Sequence, residues 1–378
     1  MRPRPARLDG LPEQYFTALL ARVAAAAATE REPVIDLGRG NPDVAPPPHV
    51  IDALNEAAAS RDPAVHGYPP FSGLPELKEA IAERYRTVYG VELDSWSEVA
   101  IVPGTKTAIV ELAICLAERG EAILLPDPGY PDYRSGPALA AAAEVRLPLD
   151  PDAGFAPDFA SAPRTHVDAV YLNYPSNPCA ATVPEGVFEE AIRFAEETGA
   201  AVVHDFAYAD LVFDGRRPQS FLATDGAREV GVEMFSMSKS YGMAGWRLGF
   251  VLGSAEIVAR LNLLQDHTRA GIFEPVQRAG IAALTGPQDS VEERRAVYER
   301  RRDKVVAAVP GARSEGTFFA WFRLPDGLTP EVLLAEHRVA VAPGEGFGPS
   351  GAGWARISLA IADERLDAGL ARLREALP

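Results

Sequence analysis

The sequence predicts an α/β protein: a large unit with a mostly parallel sheet between helices, and a smaller α+β unit. Two observations carry this. Between about residues 46 and 250 short apolar runs alternate with amphipathic helical stretches, and beyond about residue 275 the texture changes to a long charged helix followed by short strands. Apolar strands separated by helices are the mark of a sheet covered on both faces.

The elements follow in order. "LPEQYFTALLARVAAAAATERE" reads as an amphipathic or alanine-rich helix, "PELKEAIAERYRTVYG" as an amphipathic helix and "EVAIVPG" as a strand. "TKTAIVELAICLAERG" reads as a helix closed by Gly120, and "EAILLPDPGYP" as a strand and turn. "VDAVYLNYPSNP" is a strand and loop, "PEGVFEEAIRFAEETG" a helix, and "AAVVHDFAYADLVF" a buried strand with its exit loop. "VGVEMFSMSKS" and "GWRLGFVLG" supply two further strands, the second expected to carry Arg247. The remainder, "SVEERRAVYERRRDKVVAAV", "GTFFAWFRL", "RVAVAPGEGFG" and "WARISLA", reads as a helix and a small antiparallel sheet. The expected division is an arm and part of the small unit over 1–45, the large unit over 46–275 and the small unit over 276–378.

Composition narrows the function. A formal charge of −16 and no concentrated basic stretch argue against a nucleic-acid surface. Two cysteines, Cys115 and Cys179, are too few for a disulfide framework and fit a reducing compartment. Without a cleavable leader or an apolar run of about 18 residues, a cytoplasmic protein is expected. The six histidines show no metal-binding spacing, so no metal is expected.

In an open α/β sheet ligands sit beyond the carboxyl ends of the strands. That rule selects the loops "PGTKTA", "YPSNPCA", "HDFAYAD" and "SMSKS" and draws them to one crevice. They offer free amides from Gly104 to Lys106, the amide of Asn177, the carboxylate of Asp205, the phenol of Tyr208, the hydroxyls of Ser236 and Ser238, and the amine of Lys239. The chain has only four lysines among its 37 basic residues, and arginine is its default cation. An amine that can lose its proton in a dry or cationic setting does what a guanidinium cannot.

"SMSKSYGMAGWRLGF", together with "NYPSNPCA", "HDFAYADL" and "DPGYPDY", resembles the class I/II aminotransferases of the aspartate-aminotransferase fold. The resemblance runs from "DLGRGNPD" to "WARISLA", and its wording is nearest to the alanine, aspartate and LL-diaminopimelate branch. It implies dependence on pyridoxal 5′-phosphate and transamination between an L-amino acid and a 2-oxo acid by a ping-pong Schiff-base mechanism.

The resemblance further implies that Lys239 forms the Schiff base and acts as general base, that Asp205 pairs with the protonated pyridine nitrogen and has a lowered pKa, and that Tyr208 and Asn177 bond the phenolic oxygen. The phosphate would rest on Gly104, Thr105, Lys106, Ser236, Ser238 and Arg247, with Tyr130 stacked on the ring. Arg356 would hold the substrate carboxylate opposite the backbone at Gly40, with Asn177 also counted among the substrate-binding residues. Tyr68 matches a tyrosine that reaches the partner's phosphate in a homodimer with shared active sites. One departure is Ala270, where some relatives have a serine, with Thr268 as a substitute. Arg39 and Arg269 are candidates for gripping an acidic or carboxylate-ended side chain, and they motivate the expectation of a carboxylate-bearing or small polar amino donor.

Singly, each residue has an ordinary use: a lysine snorkels, an Asn before Pro makes a turn, an arginine pairs at the surface. Two other functions stay in view, a carbon–sulfur lyase on the same fold and a non-catalytic binding module. A nicotinamide dehydrogenase would need GxGxxG between the first strand and helix, and the glycines of "GEGFGPSGAG" lie near the C-terminus instead.

Overall fold

The computed structural model describes residues 6–29 and 32–377; Arg2, Arg4, Glu30 and Arg31 lie outside the described residues. Strand β1 (Ile35–Asp36) comes first. Strands β2 (Val99–Val102), β3 (Ala122–Asp127), β4 (Ala143–Asp150), β5 (Ala156–Pro157), β6 (Val167–Asn173), β7 (Ala201–Asp205), β8 (Gly231–Ser236) and β9 (Gly249–Gly253) build one sheet. Strands β10 (Phe319–Arg323), β11 (Val339–Ala340), β12 (Ala342–Pro343) and β13 (Trp354–Ser358) follow.

The large sheet runs in the order β2-β9-β8-β7-β6-β3-β4-β5. Its centre, from β8 through β7, β6 and β3 to β4, is parallel; β9 runs against both neighbours, and β5 against β4. Because β2 and β8 both oppose β9, the ends of β2, β3, β6, β7 and β8 and the start of β9 meet along one edge. That edge is where the expected loops emerge.

Strand side chains alternate between two cores, as the pleat requires. Val99, Ile101, Leu124, Val170 and Leu172 enter one, beneath the helices Pro75–Tyr89, Val187–Thr198 and Glu274–Thr285. Ala100, Val102, Ile123, Leu125 and Tyr171 enter the other, beneath Thr105–Leu116 and Ala255–Thr268. Each fully buried aliphatic side chain contributes about 1.5–3 kcal/mol. A third core gathers Ile35, Leu37, Tyr298, Val305, Phe318, Ile357 and Leu370 around the small sheet β10-β13-β12 and the parallel pair β1-β11.

Several local expectations differ from the structure. The helix before Gly120 ends at Leu116, because Ala117 is already extended. The helix expected in "LPEQYFTALLARVAAAAATERE" covers Tyr15–Ala27 and follows a short one at Ala6–Asp9, and β4 and the helix Ala255–Thr268 are elements that the sequence pattern does not announce. Arg247 lies in a turn two residues before β9, in the left-handed region at φ 59°, and not on the strand. The helix Glu274–Thr285 spans the expected boundary at residue 275 and places Ala279 and Ala283 in the core of the large sheet.

The charged helix Asp289–Ala308 buries three arginines. Arg294 donates to the carbonyls of Val44, Ala45 and Ser240, Arg301 to Asp43, Asp363 and Leu359 O, and Arg302 to Asp214 and Ser314 O. Its charges therefore stitch the small sheet to the loops of the large one. Among the described residues no helix is long and apolar enough to cross a membrane. Cys115 and Cys179 are both unpaired, and burial pushes the Cys115 thiol up to about 11, which suits a packing residue better than a nucleophile.

Candidate active site

The loops at that strand edge enclose a cavity of about 390 Å³. Of the residues singled out from sequence, Gly40, Thr105, Lys106, Tyr130, Asn177, Asp205, Tyr208, Ser236, Ser238, Lys239, Arg247 and Arg356 line it. Their convergence follows from topology, since β2, β3, β6, β7 and β8 each deliver a loop to the same rim.

Lys239 stands on the single helical turn Met237–Ser240, which follows β8 and is capped by the Ser236 hydroxyl accepting from the Ser238 amide. Its Nζ lies 5.3 Å from the ring centroid of Phe318 and 5.8 Å from that of Tyr208. Burial lowers its pKa to about 8; Asp205 opposes the shift, and Arg247 and Arg356 add to it. Since the ordinary value is 10.5, burying this amine destabilises the fold below about pH 8, and the penalty fades as pH rises toward 10.5. Trapping by a water-soluble aldehyde and borohydride, mapped to the Lys239 peptide, should therefore be half-maximal near pH 8. A midpoint above about 10, the ordinary lysine range, would contradict this environment.

Asp205 ends β7 and is 5% exposed. It accepts from the Tyr133 hydroxyl at 2.8 Å and from the Ala207 amide at 3.1 Å. Burial raises its carboxyl above the usual range, against these hydrogen bonds and Lys239. In the protein alone that is the opposite of the direction expected beside a cation. Burial also raises the Tyr208 phenol, so it stays a donor at neutral pH.

Arg356 is on β13, the middle strand of the small sheet, and is 0% exposed. Its Nη1 donates to Asn177 Oδ1 at 2.7 Å and its Nη2 to Gly38 O at 3.0 Å, while Nε is buried without a partner. The guanidinium lies 3.8 Å from the centroid of Phe319. A Cβ on Gly40 would come within 2.5 Å of Phe319 Cζ, so only glycine leaves this approach open. At the opposite end Gly104 has φ 81°, and a Cβ there would fall 2.2 Å from Arg247 Nη2. Glycine thus lets Arg247 close over the start of the helix Thr105–Leu116, whose first amides have no intrahelical acceptor.

Other residues singled out lie elsewhere. Tyr68 is 87% exposed, and neither it nor Arg39, which is also exposed, lines the cavity. Arg269 is paired with Glu111 at 3.3 Å, and the Thr268 hydroxyl donates to Leu264 O. The acidic-donor expectation thereby loses the two arginines that motivated it. Lys106 lines the cavity but is paired with Asp132 at 2.8 Å.

Sequence reasoning missed several contributors, Phe319 beside Arg356 among them. Tyr133, the last residue of "DPGYPDY", holds Asp205. Asn173 donates to Asp205 O at 2.7 Å and accepts from the Asn177 amide at 2.7 Å, bracing two loops at once. Phe16 reaches the cavity from the helix Tyr15–Ala27, and no local pattern marks it. That helix is docked by Tyr15, whose hydroxyl donates to Pro343 O and whose ring packs where a Gly346 side chain would stand. Of the glycines of "GEGFGPSGAG", Gly346 serves this packing.

The model of the aminotransferase class I and II family matches residues 32–373. An L-glutamine–4-(methylsulfanyl)-2-oxobutanoate aminotransferase of Bacillus subtilis is 43% identical over 371 residues, 95% of this chain and 92% of its own length. An LL-diaminopimelate aminotransferase of Moorella thermoacetica is 39% identical over 383 residues, 98% of this chain and 97% of its own. The substrate-bound structure of BacF from Bacillus subtilis superposes with a TM-score of 0.94 at 35% identity, covering 100% of this chain and 99% of that one. With a buried amine and a buried carboxylate lining one cavity, and a fold and sequence shared with these proteins over nearly its whole length, the chain belongs to the class I and II aminotransferases, a pyridoxal-phosphate-dependent family of transaminases.

Proposed function

We propose that the cavity holds pyridoxal 5′-phosphate and that the chain moves the amino group of a donor with an uncharged, unbranched side chain to a 2-oxo acid. The observation that carries this is the pairing of two ends of one cavity: the amine of Lys239, lowered to about 8, and the buried guanidinium of Arg356 with its unpartnered Nε.

The residues present fit the cofactor. Asp205, raised by burial, is a carboxyl that a cationic ring nitrogen would stabilise in its charged form. Arg247 makes no ion pair among the described residues and, with the amides of Thr105 and Lys106 and the hydroxyls of Ser236 and Ser238, forms a grip for a phosphate dianion. Tyr130 offers a ring face, and Tyr208 and the Asn177 amide offer donors for a phenolate.

Bound there, the cofactor supplies an electron sink that makes the donor Cα proton acidic. Arg356 takes the donor carboxylate in a charge-assisted pair, with Asn177 orienting the guanidinium and Gly40 leaving room. Lys239, neutral above about pH 8, then takes the Cα proton and returns it on the other side of the transfer. Tyr133 and Asn173 keep Asp205 facing the ring, and Phe16 and Phe319 exclude water on the donor side.

The donor reading rests on the wall beside Arg356. It is built from Phe16 and Phe319, whose ring centroids lie 5.5 and 3.8 Å from the Arg356 guanidinium, and of the cavity's other cations Lys106 is paired with Asp132 and Arg247 stands at the proposed phosphate end. An amide or thioether side chain suits such a wall, in keeping with the relative named for L-glutamine and 4-(methylsulfanyl)-2-oxobutanoate. The working unit is proposed to be a homodimer, since Tyr68, Phe71 and Phe273 leave apolar surface exposed, and its location the cytoplasm. Its large unit is taken to run from about 46 through the helix ending at Thr285.

Loaded protein mixed with a single amino acid and no oxo acid provides the test. Glutamine or methionine should abolish the visible band with one equivalent of the matching oxo acid, at least about tenfold faster than aspartate or glutamate. Equal rates for aspartate would overturn the uncharged donor, and release of ammonia would point to a lyase.

A further inference from the structure

We propose that Arg84 is a positioning residue that sets the distance between the Lys239 turn and the Tyr208 loop, acting through Tyr241 and Asp210. The proposal rests on the roles given above to Lys239 and Tyr208.

Arg84 comes from the helix Pro75–Tyr89, is 8% exposed and does not line the cavity. Its Nη2 donates to Asp210 Oδ1 at 2.6 Å and its Nη1 to the Tyr241 hydroxyl at 3.0 Å. The Tyr241 hydroxyl donates onward to Gln288 Oε1 at 2.8 Å. Asp210 stands two residues beyond Tyr208, and Tyr241 two residues beyond Lys239. One rigid guanidinium fork therefore joins the backbones that carry the two reactive side chains, at equal remove from each. The fork is itself pinned, 5.2 Å from the centroid of Phe235.

The cluster is poorly suited to a purely stabilising role. Asp210 Oδ2, Arg84 Nε and the Tyr89 hydroxyl are all buried without a hydrogen-bond partner. A buried ion pair is often matched or bettered in stability by well-packed apolar residues, so stability alone does not call for this one. Position does. The Lys239 amine lies 5.8 Å from the Tyr208 ring centroid, and a misplacement of about 1 Å at such a pair costs on the order of a hundredfold in rate. The sheet joins the two segments upstream, where β7 pairs with β8 and Phe206 N bonds Met234 O; past that point Tyr241 N bonds Met237 O within its own turn, Leu211 N bonds Tyr208 O within the other, and the Arg84 fork links the two.

The test compares Arg84→Met/Asp210→Leu, which removes both charges together, with Tyr241→Phe, which leaves the Asp210 arm and cuts the arm toward Lys239 along with the bond to Gln288. The double variant should keep its melting midpoint within about 4 °C while kcat falls roughly ten- to a hundredfold. Its KM for the amino donor should change by less than about threefold, as befits loss of alignment and not of binding. The pH midpoint of the visible absorbance of the loaded protein should move by at least about half a unit in both variants, because the amine's neighbours shift. A double variant with wild-type kcat and pH midpoint overturns the proposal, as does a kcat that falls only as far as the folded fraction. Should the double variant not fold, Tyr241→Phe decides: an unmoved pH midpoint and kcat overturn the clamp. A wild-type protein lacking any visible band on loading would strike the cofactor reading and not the clamp.

Discussion

Replacing Lys239 by alanine should lower transamination by at least about 10⁴-fold while leaving the fold intact. The size follows from two jobs resting on one atom, covalent attachment and proton transfer, of which general acid–base action alone is worth about 10²–10⁴. No neighbour can take over, because Lys106 is paired with Asp132 and Arg247 and Arg356 are arginines. The fold should not suffer, since the lowered pKa means that burying this ammonium is a cost to the folded protein at neutral pH. The check pairs single-turnover kinetics with a thermal melt. Activity within about tenfold of wild type, or a midpoint lowered by more than about 4 °C, would mean that the amine is structural.

Arg356→Met should be the second-largest loss and should read differently. Truncating one member of a buried charge pair costs about 2–5 kcal/mol, a fall in kcat/KM of roughly 30- to 5,000-fold at about 1.36 kcal/mol per decade. Every α-amino acid carries the carboxylate that Arg356 is placed to hold, so the loss should be similar for glutamine, methionine and alanine. The melting midpoint should change little, because the substitution removes a fully buried charge whose pKa burial already pulls down to about 10. A loss confined to one donor would move Arg356 from the carboxylate to the side-chain pocket.

Much of this site is legible in the amino-acid order. The strand-end rule brings Thr105, Asn177, Asp205 and Lys239 to one rim because each follows an apolar run whose period and length mark a strand, and strands of a parallel sheet end on the same side. The rarity of lysine singles out Lys239. Distance along the chain is what misleads. Arg39 is a candidate only for standing next to Gly40, yet it sits in a turn whose Gly38 and Arg39 amides donate to the Asp36 carboxylate, and Arg39 is exposed while Gly40 lines the cavity. Arg269 is a cation near the site in sequence, but Glu111, 158 residues away, pairs with it.

The sequence by itself determined the fold class, the order of most strands and helices, and the family, because hydrophobic periodicity and turn chemistry are set by neighbours within a few residues. Only the tertiary structure decided which side chains close the cavity. Phe16 arrives because Tyr15 docks in the space beside Gly346, Arg356 because β13 is clasped between β10 and β12, and the Tyr133–Asp205 and Arg84–Asp210 contacts because separate elements pack together. Such contacts depend on the packing of distant segments, and no local pattern of residues encodes them.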